Sequence, residues 1–370
     1  MSHDPSPPGA TPPEPAPAAA AASAIDAVRD YGDVAGEYSA LRHDPAHGPV
    51  GGAILVDRSY RSRGTFAGPK ARDVITGLVT NDVLALAPGA GCYAAALTPK
   101  GKILSDARIL VRDDDVLVDV PPRAAAGWWG MVRKYVNPRL SRYADITAST
   151  VDLSVYGTRA HAVVAAALGV QWESLADTAP FAHRQLVALG HTLQLIRVPD
   201  LQLEGFAIIA PIAARDTLWA SLRASGAHPA GLDAFEIARI EAGRPEWGIE
   251  MDDATLAQEA NMEELHAVSF TKGCYTGQET VARVHFRGHV NRHLRGLRFD
   301  EAHMLTRGSG LRDAAGKSVG DVRSAVISPR LGGVALAMVR REIEVDSEVE
   351  VVAAESTVRA RVVALPFPLG

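Results

Sequence analysis

The residues best suited to chemistry lie in SFTKGCYTGQETVARVHFRG, positions 269–288. Thr276-Gly277-Gln278-Glu279 fits a capping box, with Thr276 as N-cap and Glu279 at N3. That pattern predicts a helix through Val281, Ala282 and Val284 to about Gly288. Cys274 would then stand two residues before the cap, near the positive end of the helix dipole. Lys272 would add a second positive charge. Both favour the thiolate, the form that attacks electrophiles and binds metals. Gly273 and Gly277 remove side-chain bulk on either side of the sulfur. A buried structural cysteine in a capped turn is the alternative, and the residues alone leave both readings open.

The neighbouring residues are less specific. Arg283, Arg287, Arg292, Arg295 and Arg298 cluster with His285, His289 and His293. Such a cluster suits a carboxylate tail, an acidic partner or RNA phosphates. Pairing with Glu246, Glu250, Asp252, Asp253, Glu259, Glu263 and Glu264 is the simpler expectation. His285 and His289 have metal-ligand spacing on a helix, but no third ligand accompanies them, so no metal site is expected. Cys92 reads as a small core residue. Trp128 and Trp129 read as packing residues rather than stacking platforms.

These segments must be held by a chain of 370 residues, 47% hydrophobic, which is enough for two or three domains. No run of about 18 uninterrupted apolar residues occurs, so no membrane span is expected. The first basic residue is Arg29, which argues against a secretory leader. Two cysteines exclude a disulfide framework and a self-contained four-cysteine metal site, and suggest a cytoplasmic protein. A handled cluster would need ligands from a partner. The formal net charge of −5 makes direct nucleic-acid binding unexpected, leaving room only for a local basic patch.

Residues 1–24 are rich in Pro and Ala and read as a disordered tail. GGAILVD, from Gly51, reads as a strand, and 69–79 as a helix opened by Pro69. The run from Tyr93 to Val120 reads as three strands, broken at Pro99-Lys100-Gly101 and at 112–115. Residues 123–136 read as a helix. A second unit, 151–230, mixes strands with two helices ending near Gly169 and Gly226. Phe235–Ala242 reads as a further helix with Phe235, Ile237, Ala238 and Ile240 as core candidates. Short β-prone runs from about 295 to 369 indicate a small antiparallel barrel or sandwich. The fold class is α+β.

KGCYTGQE, Lys272–Glu279, resembles the signature octapeptide of the YgfZ proteins and their mitochondrial iron–sulfur assembly relatives. The resemblance extends through IEAGRPEWGIEM (240–251), AQEANMEELHAVSFTKGCYTGQETVARVHFRG (257–288), FAGPKARDVITGLVTNDV, LTPKGKILSDARIL and VGDVRSAVISPRLGGVALAMVRR, from about residue 50 onward. It implies a fold like the glycine-cleavage T-protein, with a C-terminal antiparallel β-barrel and a central channel that binds tetrahydrofolate. The implied units are 50–150 plus 231–290 as folate-binding core, 151–230 as second subdomain and 291–370 as barrel.

The implied role is an accessory factor for maturation or repair of iron–sulfur enzymes, including tRNA-modifying ones, with Cys274 as the working thiol. Lys272 and Asp106 would assist it. Partners would be folate and iron–sulfur assembly proteins or client enzymes, with a transient shared cluster. Phe235, Asn81, Gly273, Tyr275, Gly277, Gln278 and Glu279 would contact folate or shape its site. Glu204 lies near the place where T-proteins hold the pterin with an acid, but an exposed strand-end carboxylate is the simpler reading of it. The rival reading is a tetrahydrofolate-dependent aminomethyl- or methyltransferase. Such enzymes carry two adjacent acids where this chain has Ser105 and Asp106, so one carboxylate is missing.

Overall fold

A computed structural model describes residues 27–42, 51–171, 178–300, 302–352 and 357–368. The Pro/Ala-rich tail expected at 1–24 lies outside them. The chain forms a short helix α1 (Val34–Ser39), strands β1 (Ile54–Asp57) and β2 (Ser62–Ala67), and helix α2 (Ala71–Leu78). Strands β3 (Gly91–Leu97), β4 (Ile103–Val111) and β5 (Asp115–Val120) follow, then α3 (Ala125–Tyr135) and β6 (Arg142–Asp145). The second unit holds β7 (Thr150–Tyr156), α4 (Ala160–Leu168), β8 (His183–Ala188), β9 (His191–Arg197), β10 (Gly205–Pro211), α5 (Arg215–Ala224) and β11 (His228–Pro229). Helices α6 (Leu232–Glu241) and α7 (Gln278–Arg287) lead into β12 (Arg292–Phe299), β13 (Gly310–Arg312), β14 (Ser318–Ser328), β15 (Gly332–Arg340), β16 (Glu348–Val352) and β17 (Thr357–Val363).

Two sheets and a closed barrel result. The sheet β3-β4-β5-β2-β6 carries α2 and α3 on one face, over a core that includes Phe66, Ile75, Ile109, Val118 and Trp128. The sheet β11-β1-β7-β10-β9-β8 carries α4 and α5 over Leu55, Val164, Phe206 and Leu218. The strand read at the start of the first unit belongs to this second sheet, because β1 pairs with β7 antiparallel and with β11 in parallel. The barrel β12-β15-β14-β13-β16-β17 is antiparallel throughout. Alternation along β17, with Val358, Ala360 and Val362 inside, gives it a filled apolar interior. The expected α+β class with a C-terminal antiparallel barrel is therefore what forms. Among the described residues no helix is long and apolar enough to cross a membrane.

The faces of the two sheets not covered by their own helices meet around α6. Tyr93, Leu97 and Leu117 from the first sheet join Ile196, Ile209, Phe235 and Ile237 in one core. The charged site lies within this junction.

Candidate functional site

Strand alternation explains how β4 builds the site. Ala107 and Ile109 point to the α2/α3 core, so Asp106 and Arg108 point to the junction. There they meet Arg58 and Arg61 from the β1–β2 loop, Tyr93 from β3, Asp200 from the β9–β10 loop, and Phe235 and Arg239 from α6. Arg244, Pro245 and Glu246 close the wall. The open space between them is about 40 Å³.

So many buried charges stand together only because they neutralise one another. Arg108 reaches Asp119 at 2.9 Å and Asp152 at 3.0 Å. Arg61 pairs with Asp119 and Arg58 with Asp200. Tyr156 donates to Asp200 at 2.8 Å. Arg239 forms a two-pronged pair with Glu250, at 2.9 and 3.0 Å, and holds Glu236 at 2.7 Å. Arg244 carries no ion pair among the described residues and lies 5.2 Å over the Tyr93 ring.

The carboxyl groups divide into two kinds. Burial raises Asp106 above the usual carboxylate range, against Arg61 and the Tyr93 hydroxyl. Burial likewise raises Glu246, with Glu236 adding repulsion. Asp200 is held well below the ordinary range: the guanidinium groups of Arg58, Arg108 and Arg244 overcome the cost of its burial. Burial thus favours the protonated form of Asp106 while the arginines favour the ionised form of Asp200, so two neighbouring carboxyls are shifted in opposite directions.

A reduced pterin can be tested against these groups. Its N–H edge needs carboxylates, and Asp106 and Asp200 supply them. Its carbonyl needs donors, and Arg58 Nε and Arg108 Nη1 are buried N–H groups with no hydrogen-bond partner among the described residues, Arg108 Nη1 lying 3.8 Å from Asp200. Its ring needs aromatic faces, and Phe235 and Tyr93 line the cavity. The chemistry fits. The space is tight, because Arg58 lies 4.6 Å over Phe235 and Arg244 covers Tyr93. A ring stacked on Tyr93 would have to displace Arg244, which forms no ion pair among the described residues. A larger groove of about 520 Å³ shares Glu246 with the cavity and runs past Tyr60, Ile237 and Ile240 along α6.

The residues expected from sequence fall in different places. Asp106 and Phe235 do line the cavity, and Phe235 is a core residue as well, against Tyr156 at 5.3 Å. Asn81 does not line it; its amide donates to the carbonyls of Tyr93 and His266 and ties β3 to the loop before the signature. Glu204 pairs with His161 outside the cavity, and the acid that enters is Asp200, four residues earlier.

None of the signature residues 272–279 lines the cavity. Cys274 is exposed at the surface, so it does not stand in the channel. The helix also begins one residue later than the capping box predicts. Gly277 is the N-cap, at φ +84°, with no side-chain cap bond. Cys274 therefore lies three residues before the cap.

Lys272 serves a different purpose from the expected one. Its ammonium donates to the carbonyls of Thr76, Val79 and Asn81 at 2.5, 2.6 and 2.7 Å, closing the end of α2. Burial pulls it down to about 8, with Asp82 and Cys92 as its charge neighbours. Tyr275 is buried, and burial pushes its hydroxyl up to about 12. Gln278 and Glu279 open α7 at the surface. Cys92 is the core residue expected, its thiol pushed up to about 12 by burial.

The basic cluster divides. Arg292 pairs with Glu259 at 2.9 Å and His285 with Glu263 at 3.0 Å, as the simpler reading held. Arg283 and Arg287 are exposed on α7. Among the described residues no group of His, Cys, Asp and Glu could hold a metal ion. Sequence reasoning missed Arg58, Arg61, Arg108, Asp200, Arg239, Arg244 and Glu246. Arg108, Arg244 and Glu246 lie inside segments that carry the family resemblance, but nothing local to any of the seven marks it as a cavity residue, since the fold gathers them from loops, one strand and one helix.

Comparison with known proteins agrees with this architecture. The model of the GCVT N-terminal domain matches residues 44–272, and that of the glycine cleavage T-protein C-terminal barrel domain matches 292–368. An aminomethyltransferase of Moorella thermoacetica is 29% identical over 326 residues, covering 85% of this chain and 86% of that protein. One from Nostoc is 27% identical over 325 residues, covering 85% and 84%. A putative chloroplastic transferase of Arabidopsis thaliana is 26% identical over 253 residues, covering 66% and 56%. The crystal structure of glycine cleavage system aminomethyltransferase T from Bartonella henselae superposes with a TM-score of 0.79 at 22% identity, over 90% of this chain and 89% of that one. With both of its domain models matched in order along one chain, this protein belongs to the glycine cleavage T-protein family.

Proposed function

We propose that this protein binds a reduced folate through its central cavity and supports the maturation or repair of iron–sulfur enzymes, tRNA-modifying ones among them, through the Cys274 thiol. It would act in the cytoplasm as an accessory factor, with folate, iron–sulfur assembly proteins or client enzymes as partners. The observation that carries this reading is the contrast between the two cysteines: Cys92 is buried, while Cys274 is exposed inside the KGCYTGQE signature. A Cβ placed on Gly273 would meet nothing within 4 Å, so the approach beside the sulfur is open. An outward thiol suits a cluster shared with a partner better than chemistry on a folate held inside. Asp106 and Asp200 would hold the pterin, and folate binding would tune the factor rather than feed the thiol.

The test replaces Cys274 by Ala in cells that depend on this protein. Client iron–sulfur enzymes should lose activity while the purified variant keeps its folding transition. Full client activity in that background would overturn the role of the thiol.

A second reading, a tetrahydrofolate-dependent aminomethyl- or methyltransferase, is favoured by Asp106. Its carboxyl sits in the cavity, accepts from Tyr93 and from the Trp247 backbone N–H, and is raised by burial. Turnover of an aminomethyl donor with tetrahydrofolate, abolished in Asp106→Asn and retained in Cys274→Ala, would establish it in place of the first.

A further inference from the structure

Helix α7 buries one side and leaves the other bare. Val281 is 1% exposed and faces the core, where its carbonyl accepts from the Gln258 amide at 2.9 Å. With about 3.6 residues to a turn, Arg283 lies opposite Val281, and Phe286 and Arg287 flank Arg283 on either side. All three are exposed, Phe286 at 67%. Among the described residues neither arginine forms an ion pair. Phe286 is held in place by its neighbours. Phe270 stacks on the His285 ring at 3.7 Å, and His285 is bonded to Glu263 at 3.0 Å. The Phe286 ring stands nearly perpendicular to both, 5.9 Å from Phe270 and 4.7 Å from His285.

The same contacts put the signature beside this face. Phe270 touches the last turn of α7 and Gly277 caps its first, so residues 271–276 run back along the Phe286 side of the helix. Cys274 is exposed on that run, its Cα at most about 14 Å from that of Phe270. On the opposite side the β3–β4 turn abuts α7, since a Cβ on Gly101 would come 2.6 Å from Thr280, and the adjoining Lys100 is exposed. Glu279 is the acid on the bare face of α7. Arg283, Arg287 and Lys100 outnumber it, so the excess is positive on a chain whose formal net charge is −5.

We propose that the outer face of α7 seats an acidic protein partner, with Phe286 in an apolar socket and Arg283 and Arg287 on carboxylates at its rim, and so brings that partner to Cys274. The proposal rests on the thiol reading above and names the surface that an outward thiol needs. An exposed aromatic flanked by arginines is the composition that carries binding energy between proteins, and unpaired guanidinium groups take carboxylates two bonds at a time. A nucleic acid fits this face less well, because bases stack on open rings in series and the Phe270 face is taken by His285.

The test uses cells that depend on this protein and carry the parent chain, Phe286→Ser, Arg283→Glu with Arg287→Glu, or Cys274→Ala, each at normal and at raised expression. Client iron–sulfur enzyme activity is measured, together with the Cys274 alkylation rate of the purified variants that keep the thiol. The two docking variants should lower client activity about tenfold at normal expression, with an unchanged alkylation rate. Raised expression should restore them, because mass action offsets a weaker contact, and should not restore Cys274→Ala. Full client activity in both docking variants, beside loss in Cys274→Ala, would overturn the docking face and leave the thiol reading standing. Full activity in Cys274→Ala would overturn the thiol reading, and the docking face with it. Loss that persists at raised expression, or a slowed alkylation, would overturn docking as its cause. A bismaleimide bridging Cys274 to its neighbour in the parent cells separates the classes of partner. A protein adduct that disappears in the double charge reversal supports the proposal, and an adduct removed by ribonuclease overturns it.

Discussion

The hydroxyl of Tyr93 donates to the carboxylate of Asp106 across 3.0 Å, where two β-strands of the first sheet face the cavity. This bond favours the ionised acid, and burial, the larger influence, opposes it. The folded carboxyl therefore holds its proton to a higher pH than the unfolded one. A raised acid favours the folded state while protonated, and that contribution is lost as pH rises through the folded value. Asp106→Asn should match the parent near pH 3.5, in melting temperature, and exceed it at pH 7 to 8. Tyr93→Phe, which removes the opposing bond, should steepen the parent's loss on the alkaline side. Parallel melting curves for Asp106→Asn and parent across pH 3.5 to 8 would contradict the raised carboxyl.

Lys272 and Cys274, two positions apart, should separate stability from function. Lys272→Met strands three carbonyl acceptors that the ammonium now satisfies. Its cost should be about 2–4 kcal/mol, the scale of losing charge-assisted bonds to buried acceptors. Cys274→Ala removes an exposed atom and should stay within about 0.5 kcal/mol. Urea unfolding of the two variants checks the pair. A large loss for Cys274→Ala would assign the sulfur a packing role instead.

The two glycines of the signature should also differ. Gly277 has φ +84°, and a Cβ there would lie 2.6 Å from the Thr98 carbonyl oxygen. Gly277→Ala should cost about 1–3 kcal/mol from strain at a left-handed position. Gly273→Ala meets nothing within 4 Å and should fold normally. If it nonetheless impairs client maturation, bulk beside the sulfur is what matters. Chemical denaturation of both variants reads the difference.

The contrast between Gly277 and Asp200 shows what could be read from the chain alone. The signature octapeptide is contiguous, so its thiol, its glycines and the following helix were all legible. The barrel was legible too, because alternating runs such as VRARVV carry their own inside and outside. The cap was misplaced by one residue because a glycine able to take positive φ outcompeted the threonine before it. Lys272 was misassigned because spacing gives proximity in sequence, whereas the side chain turned back to the end of α2. The cavity was largely illegible. Asp200 enters from a loop after β9 and Arg61 from one after β1, and no local pattern distinguishes either from a surface charge. Only the meeting of two sheets around α6 turns them into partners.

Asp200 should dominate the acid limb of stability. Its folded carboxyl is held low by Arg58, Arg108 and Arg244, as Asp119 is by Arg108, Arg61 and Arg63. A depressed acid contributes stability above its unfolded value, near 3.8, and loses it as pH falls through the folded one. Asp200→Asn should therefore flatten the fall in melting temperature below pH 4. At pH 7 it should cost about 3–5 kcal/mol, because the arginines are left without their counter-charge. An unchanged acid limb would show that the cluster is not what acid breaks.

Arg244 stands where a folate ring would have to stack on Tyr93. Its guanidinium covers Tyr93 at 5.2 Å and forms no ion pair among the described residues, and it ranks behind Arg58 and Arg108 in holding Asp200 low, so removing it exposes an aromatic face while leaving Asp200 its two nearer arginines. Arg244→Ala should cost about 1 kcal/mol, less than Asp200→Asn, because Arg58 and Arg108 remain on Asp200. Affinity for a tailless tetrahydropterin should rise about tenfold, or about 1.4 kcal/mol, since the ring no longer displaces a cation to enter. Tetrahydrofolate should gain less if its carboxylate tail uses the same arginine. Calorimetric titration with both ligands separates these outcomes. A weaker fit for the tailless pterin would mean that Arg244 grips the ring itself, and the tight cavity would then be the bound shape.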